Sequence, residues 1–130
     1  MNRNSPLLKN SQEILRNNVL TASKEELTLL LYEGAVKYIN QAVLAIKNKD
    51  LEKANSQCTK AQSIISELRA TLDLSYDIAH QMETMYVYIY ERLIEGNNKK
   101  DPEILEEVCD LVRVFRDTWK EAMVAAKNKK

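Results

Sequence analysis

Apolar residues recur at three- and four-residue steps along four segments of this chain, and this spacing restricts it to a helical fold. The first segment opens with Ser23 and Glu26, a pair typical of a helix start, in which the serine hydroxyl accepts the Glu26 amide hydrogen. Two adjacent apolar rows follow, one with Leu27, Leu31, Ala35, Tyr38, Ala42 and Ile46 and the other with Tyr32, Val36, Ile39 and Val43. Rows this broad predict that more than one neighbour covers the helix.

The second and third segments carry single inward rows. The second follows Asp50, a plausible N-cap, with Leu51, Ala54, Cys58, Ala61, Ile65, Leu68 and Leu72 at heptad spacing. A break is predicted at 73–77, because one unbroken helix to residue 96 would exceed the usual length. The third segment faces inward through Ile78, Met82, Met85, Ile89 and Leu93. We expect it to stop near Gly96, because glycine suits a left-handed terminal residue.

The fourth segment has the clearest start, with Asp101 as N-cap and Pro102 at the first helical position. Its inward row is Ile104, Val108, Leu111, Phe115, Trp119 and Ala122. Short links between helices require antiparallel neighbours, and two glycines and two prolines are too few for a β-rich fold with many tight turns. The sequence therefore predicts an all-α, antiparallel up-down-up-down four-helix bundle, with helices at about 24–48, 51–73, 77–96 and 102–126.

The two ends of the chain fall outside this pattern. Residues 1–20 are rich in asparagine and serine but carry apolar side chains, so we expect a flexible N-terminal arm that docks on a bundle formed by residues 21–126. Residues 127–130 form a basic tail. The start of the chain lacks the apolar stretch of a secretory signal, and no apolar run approaches the roughly 18 residues of a membrane helix. These features predict a cytoplasmic protein.

Little in the chain suggests catalysis or a cofactor. Nineteen basic residues balance nineteen acidic ones, which disfavours nucleic-acid binding. Cys58 and Cys109 lack metal-type spacing and are expected to be packed thiols. Asp77-x-x-His80 has no second copy of the kind that di-iron bundles need. His80 is also the candidate for a phosphoacceptor, although an ordinary surface histidine is the favoured interpretation because no lysine or arginine lies within one turn. We expect no enzyme activity, no cofactor and no metal site.

The remaining signal is apolar surface beside the inward rows. The third helix carries three such side chains, and Ile64 and Val114 also lie off the main rows. Surplus apolar rows predict grooves that a partner helix fills, and the same rows also fit a homodimer. The candidate partner-binding residues are Ile14, Val19, Leu20, Tyr32, Val36, Ile64, Val87, Tyr90 and Ile94.

Several blocks of sequence resemble the flagellin export chaperones, the FliS family. Residues 21–35 read TASKEELTLLLYEGA and are similar to the opening motif of that family. The likeness continues through KAQSIISEL at 60–68, MYVYIYERL at 85–93 and FRDTW at 115–119, and it covers roughly residues 17–122. Two positions depart from the family pattern: Ile14, where a tyrosine is frequent, and Val87, where a polar residue is common.

The resemblance implies a cytosolic four-helix bundle whose partner is flagellin. Such a chaperone would bind the disordered C-terminal segment of flagellin, prevent premature polymerisation and deliver the client to the flagellar export apparatus. The resemblance also implies that the N-terminal arm occupies part of the binding groove until the client displaces it, and that the loaded complex contacts the export gate. The resemblance implies neither nucleic-acid binding nor direct insertion into a membrane.

Overall fold

Four α-helices account for most of residues 23–128, the part of the chain that this computed structural model describes, and that range contains no β-strand. They are α1 (Lys24–Lys47), α2 (Leu51–Ala70), α3 (Asp77–Lys99) and α4 (Pro102–Asn128). α1 and α3 each pack against both α2 and α4, so α1 and α3 occupy diagonal corners of the bundle. The prediction of an all-α, antiparallel four-helix bundle is confirmed. The residues for which an N-terminal arm is predicted, including Ile14, Val19 and Leu20, lie outside the described residues.

Side-chain caps set the starts of three helices as the sequence predicts. The Ser23 hydroxyl accepts the Glu26 amide hydrogen at 3.2 Å and donates to the Glu26 carboxylate at 3.3 Å. Asp50 Oδ1 accepts the Lys53 amide hydrogen at 3.1 Å. Asp101 Oδ1 accepts the amide of Glu103 at 2.9 Å, directly before the turn that Pro102 opens. Each cap pairs a backbone donor that has no partner within its own helix.

The helix ends depart from prediction at two places. α2 ends at Ala70 and not near residue 73. The Thr71 hydroxyl donates to the Leu68 carbonyl at 2.7 Å, and the Asp73 carboxylate accepts both the amide and the hydroxyl of Ser75. Short polar side chains that bond nearby backbone compete with helix continuation, which explains the earlier end.

The predicted stop of the third helix at Gly96 is wrong. α3 runs through Gly96 to Lys99, and Lys100 takes the left-handed conformation with φ of 50°. A Cβ at residue 96 would lie 2.7 Å from Leu105 Cδ2, so this glycine allows α3 to approach the start of α4. Lys100 is held in its unusual conformation by its own ammonium, which donates to the carbonyl oxygen and to Oδ1 of Asn97.

The core uses one of the two apolar rows of α1. Tyr32, Val36, Ile39 and Val43 are buried, whereas the large residues of the other row, Leu27, Leu31, Tyr38 and Ile46, are only partly buried. α3 is rotated from prediction, because Ala79 and Tyr86 join Ile89 and Leu93 inside while Ile78 is 61% exposed. Leu51, at 52% exposed, and Ala122 were likewise predicted inward and lie on the surface near helix ends.

Two tyrosines meet across the diagonal of the bundle. The hydroxyls of Tyr32 and Tyr86 share a hydrogen bond, and the Phe115 ring lies 6.4 Å and 6.0 Å from their ring centroids. Burial raises the pKa of Tyr32, although its hydrogen bond to Tyr86 opposes that shift. Burial also raises the pKa of Tyr86, and the hydrogen bond to Tyr32 adds to the rise. The fold therefore favours the neutral form of both phenols.

We predict that removing one of these hydroxyls destabilises the bundle more than removing both. Tyr86→Phe leaves the Tyr32 hydroxyl buried without its partner, which costs about 1–3 kcal/mol, whereas Tyr32→Phe with Tyr86→Phe replaces both polar groups by apolar rings. Urea unfolding of the two single variants and the double variant at pH 7 measures the coupling. Additive losses in the double variant would contradict an energetically coupled pair.

We also predict that the Tyr32–Tyr86 pair makes the stability of the fold sensitive to alkaline pH. Because folding raises both phenol pKa values, their contribution to stability is full below the unfolded pKa of about 10 and is lost as pH rises from there towards the folded values. Unfolding free energies measured between pH 8 and pH 11 should therefore fall less steeply in the double phenylalanine variant than in the parent. Equal slopes would show that the pair does not control this titration.

Candidate protein-binding grooves

Three apolar grooves open on the surface of the bundle. The terminal groove, about 340 Å³, lies where α1 and α3 begin and α2 ends, and is lined by Tyr32, Leu72, Tyr76, Ile78, Met82, Tyr86 and Trp119 among others. The α1/α2 groove, about 460 Å³, is lined mainly by Leu27, Leu30, Leu31, Gly34, Tyr38 and Ile64. The α2/α3 groove, about 450 Å³, is lined by Ile65, Ser66, Arg69, Tyr86, Val87, Tyr90, Glu91 and Ile94.

Shared lining residues show that the three grooves adjoin one another. Lys24, Thr28 and Thr71 line both the terminal groove and the α1/α2 groove. Tyr86 lines both the terminal groove and the α2/α3 groove. The resulting surface, called here the wrap surface, follows the C-terminal half of α2 around the end of the bundle.

The terminal groove is held open by contacts between helix ends. Trp119 Nε1–H donates to the Glu25 carbonyl at 2.9 Å, which fixes the later part of α4 against the first turn of α1. The paired hydroxyls of Tyr32 and Tyr86 lie at its base. Tyr76 and Ile78 stand mostly exposed at its edge, so this groove offers apolar side chains to a partner.

The α1/α2 groove depends on Gly34. A Cβ at residue 34 would lie 3.1 Å from Ile64 Cδ1, so the absence of a side chain leaves room between the two helices. The leucines at 27, 30 and 31 are only partly buried and face this space. An amphipathic helix is the kind of ligand that such leucine-lined grooves accept.

The structure brings most of the predicted partner-binding residues of the described range to the wrap surface. Val87, Tyr90 and Ile94 lie together in the α2/α3 groove, while Ile64 lies in the α1/α2 groove on a different side of α2. Tyr32 reaches the base of the terminal groove but is only 1% exposed.

Two other residues of the apolar rows lie away from the wrap surface. Val36, predicted to contact a partner, is buried in the core because its row of α1 faces the other helices. Val114, which also lies off the main rows, is exposed but lines none of the three grooves.

Sequence reasoning missed several groove residues. Leu27 and Leu31 were assigned to an apolar row but not to the partner site, Leu30 to no row, and Trp119 to the core, although all four line the wrap surface. The signal that identifies the three leucines is the width of the apolar face of α1, which exceeds what its neighbours cover.

The two cysteines and the histidine lie outside the linings of the three grooves. Burial raises the pKa of the Cys58 thiol to about 11 and also raises the pKa of Cys109, so both free thiols are unreactive at neutral pH. His80 is exposed. Within residues 23–128, no three histidine, cysteine, aspartate or glutamate side chains lie close enough together to bind a metal ion. None of the four helices is both apolar and long enough to span a bilayer.

Comparison with known proteins identifies the family. The family model described as flagellar protein FliS matches residues 8–126. The chain belongs to the FliS family. The flagellar secretion chaperone FliS of Bacillus subtilis (strain 168) is 45% identical over 108 residues, which are 83% of this chain and 81% of the relative.

More distant relatives match this chain over a similar fraction of its length. The flagellar secretion chaperone FliS of Escherichia coli (strain K12) is 28% identical, with 82% of this chain and 81% of the relative covered. That of Salmonella typhimurium (strain LT2) is 29% identical, with 85% and 84% covered. The resemblance noted from the sequence is therefore confirmed, and the grooves belong to a protein of a flagellar secretion chaperone family.

We predict that replacement by alanine affects the unfolding free energy differently at Gly34 and at Gly96. Gly34→Ala should leave the unfolding free energy unchanged or raise it by up to about 1 kcal/mol, because alanine favours the helix and the Ile64 terminal methyl can move into the groove. Gly96→Ala should lower it by about 1–3 kcal/mol, because the added methyl meets packed Leu105. Urea unfolding compares the two variants. A loss at Gly34 as large as that at Gly96 would mean that the α1/α2 groove is closed there.

Proposed function

We propose that this protein is a cytoplasmic chaperone that binds the disordered C-terminal segment of flagellin, prevents its premature polymerisation and delivers it to the flagellar export apparatus. The observation that carries the proposal is the wrap surface of three adjoining grooves, found in a chain that belongs to a family of flagellar secretion chaperones. The proposed role is binding without catalysis.

The shape of the wrap surface supports a client that arrives unfolded. The α1/α2 and α2/α3 grooves lie on different sides of α2, so one straight helix cannot fill both. A disordered segment can follow the surface as short helices and extended links. Wrapping of this kind buries on the order of 1,000–3,000 Å², while ordering the segment costs about 2–5 kcal/mol. The net affinity then stays moderate, which suits a client that must be released.

The side chains of the wrap surface suit a client helix that has an exposed apolar face. Tyrosines contribute apolar rings with a polar tip, and methionine adapts its shape to different partners. Tyr90 and Met82 supply such side chains in two of the three grooves. Covering the client's apolar face at these positions would keep copies of flagellin from binding one another.

The N-terminal arm is part of the proposal. We propose that residues 1–20 cover some of the wrap surface until the client displaces them. The covering side chains would be Ile14, Val19 and Leu20. The support is that residue 23 leads directly into Lys24, which lines two of the grooves. The bundle (21–126) then binds the client, the basic tail (127–130) extends beyond it, and the loaded complex contacts the export gate.

Matched glutamate substitutions test the wrap surface. Leu30→Glu and Val87→Glu place a charge in the α1/α2 and α2/α3 grooves, whereas Leu44→Glu and Val114→Glu place one on exposed residues of α1 and α4 that line none of the three. We expect each groove variant to weaken binding of a flagellin C-terminal peptide about tenfold or more, equivalent to about 1.4 kcal/mol. Isothermal titration calorimetry gives the affinities.

The control variants should bind like the parent, and urea unfolding should show all four to be folded at the binding temperature. If the groove variants bind as tightly as the controls, the wrap surface is not the client site. Equal weakening by all four variants would point to non-specific charge repulsion and would likewise contradict the assignment.

A separate prediction concerns the N-terminal arm and its competition with the client. Deletion of residues 1–18 should tighten the binding of the flagellin peptide or speed its association, because the client no longer competes with the arm. Stopped-flow association, followed through the single tryptophan, Trp119, which lines the terminal groove, measures the rate. Unchanged or weaker binding would show that the arm is not a competing lid.

A further inference from the structure

Two lysines flank one tyrosine at an end of the α1/α2 groove. The Lys37 ammonium lies 5.9 Å from the centre of the Tyr38 ring, and the Lys60 ammonium, which comes from α2, lies 5.5 Å from it. Both distances are within the range of a cation–π contact. Neither lysine is within ion-pair distance of a carboxylate belonging to residues 23–128. The pair therefore places two positive charges beside one ring, with no ion-pair contact to the carboxylates of the described part of the chain.

The apolar groove ends at this tyrosine. Its apolar lining on α1 runs from Leu27 to Tyr38, a length of about 16 Å at 1.5 Å per residue, or three turns of a docked helix. The next cleft between α1 and α2 is a separate one, lined largely by polar side chains such as Gln41, Asn48 and Asp50. A short apolar helix that fills the α1/α2 groove therefore has to end beside Tyr38.

From this geometry we propose that Lys37, Tyr38 and Lys60 form a clamp for the carboxyl end of the client helix, and that the clamp fixes the direction in which the helix lies. The inference rests on the proposed function and adds an orientation to it. The occupant is the last three turns of an apolar helical segment that ends in a free main-chain carboxylate.

The charges along the groove favour this direction. The carboxyl end of a helix carries the negative pole of the helix dipole and carbonyl groups without partners, and lysine ammonium groups can satisfy both these carbonyls and a terminal carboxylate. Beyond Tyr38 the charged residues that line the groove are Lys24 and Glu67, one of each sign. A helix docked the opposite way would place its positive pole against two cations.

The test compares two forms of one peptide on three proteins. The peptide is the flagellin C-terminal segment, made once with a free terminal carboxylate and once as the terminal amide. The proteins are the full chain, the variant Lys37→Gln with Lys60→Gln, and the control Lys53→Gln. Lys53 is an exposed lysine of α2 that lines only the polar cleft. Glutamine keeps much of the side-chain stem, so packing on Tyr38 is largely retained.

We expect amidation to weaken binding to the parent and to the Lys53 control about three- to tenfold at low ionic strength, and to have no effect on the double variant. The difference should shrink as salt is added. Equal affinity of the acid and the amide for the parent would contradict the clamp. An effect of amidation that persists in the double variant would also contradict it. Neither result would contradict the proposed function. Failure of both peptides to bind the parent overturns the proposed function itself.

Discussion

The hydrogen bond between Tyr32 and Tyr86 sets the rotation of two diagonal helices. A phenol in a helical core must pair its hydroxyl, and here each phenol pairs with the other, with Phe115 packed against both rings. This contact turns one apolar row of α1 and one face of α3 towards the bundle axis. The other rows, which include Leu27 and Leu31 on α1 and Val87 and Tyr90 on α3, then have no helix to cover them fully and become the walls of grooves.

Helix lengths decide where those grooves join. α2 stops at Ala70, while α4 extends well past the level of Glu25, where Trp119 contacts α1. The early end of α2 leaves the start of α1 and the start of α3 without a neighbour between them. The terminal groove occupies this space and adjoins the grooves on either side of α2. A client that followed all three, as proposed, would be held by many moderate contacts, so that no single contact would have to be strong.

Local chemistry explains what could be predicted from the sequence. The caps at Ser23, Asp50 and Asp101 involve neighbours within three residues, so their identity and spacing determined the helix starts. Gly96 was misassigned because its role is close packing against Leu105, a contact between helices. The phase of α3 was misassigned for a similar reason. Tyrosine is compatible with either core or surface, and Tyr86 turns inward because its hydroxyl pairs with that of Tyr32.

The candidate site was predictable only in part. The side chains at 87, 90 and 94 were grouped correctly, because spacing along one helix places them on one face. The leucines of α1 belong to a broad apolar face whose two rows the sequence does not distinguish, because the row that turns inward depends on the tyrosine pair across the bundle. Gly34 gave no periodic signal at all, because its contribution to the α1/α2 groove is the side chain that it lacks.

The central claim is that one bundle binds one flagellin through that protein's C-terminal segment. Light scattering coupled to size-exclusion chromatography measures it most directly, with this 15.0 kDa chain mixed either with intact flagellin monomer or with flagellin that lacks its C-terminal helix. The account predicts a peak with the summed mass of one copy of each protein in the first mixture and separate peaks in the second. A complex that survives the truncation, or a homodimer that ignores flagellin in both mixtures, would contradict it.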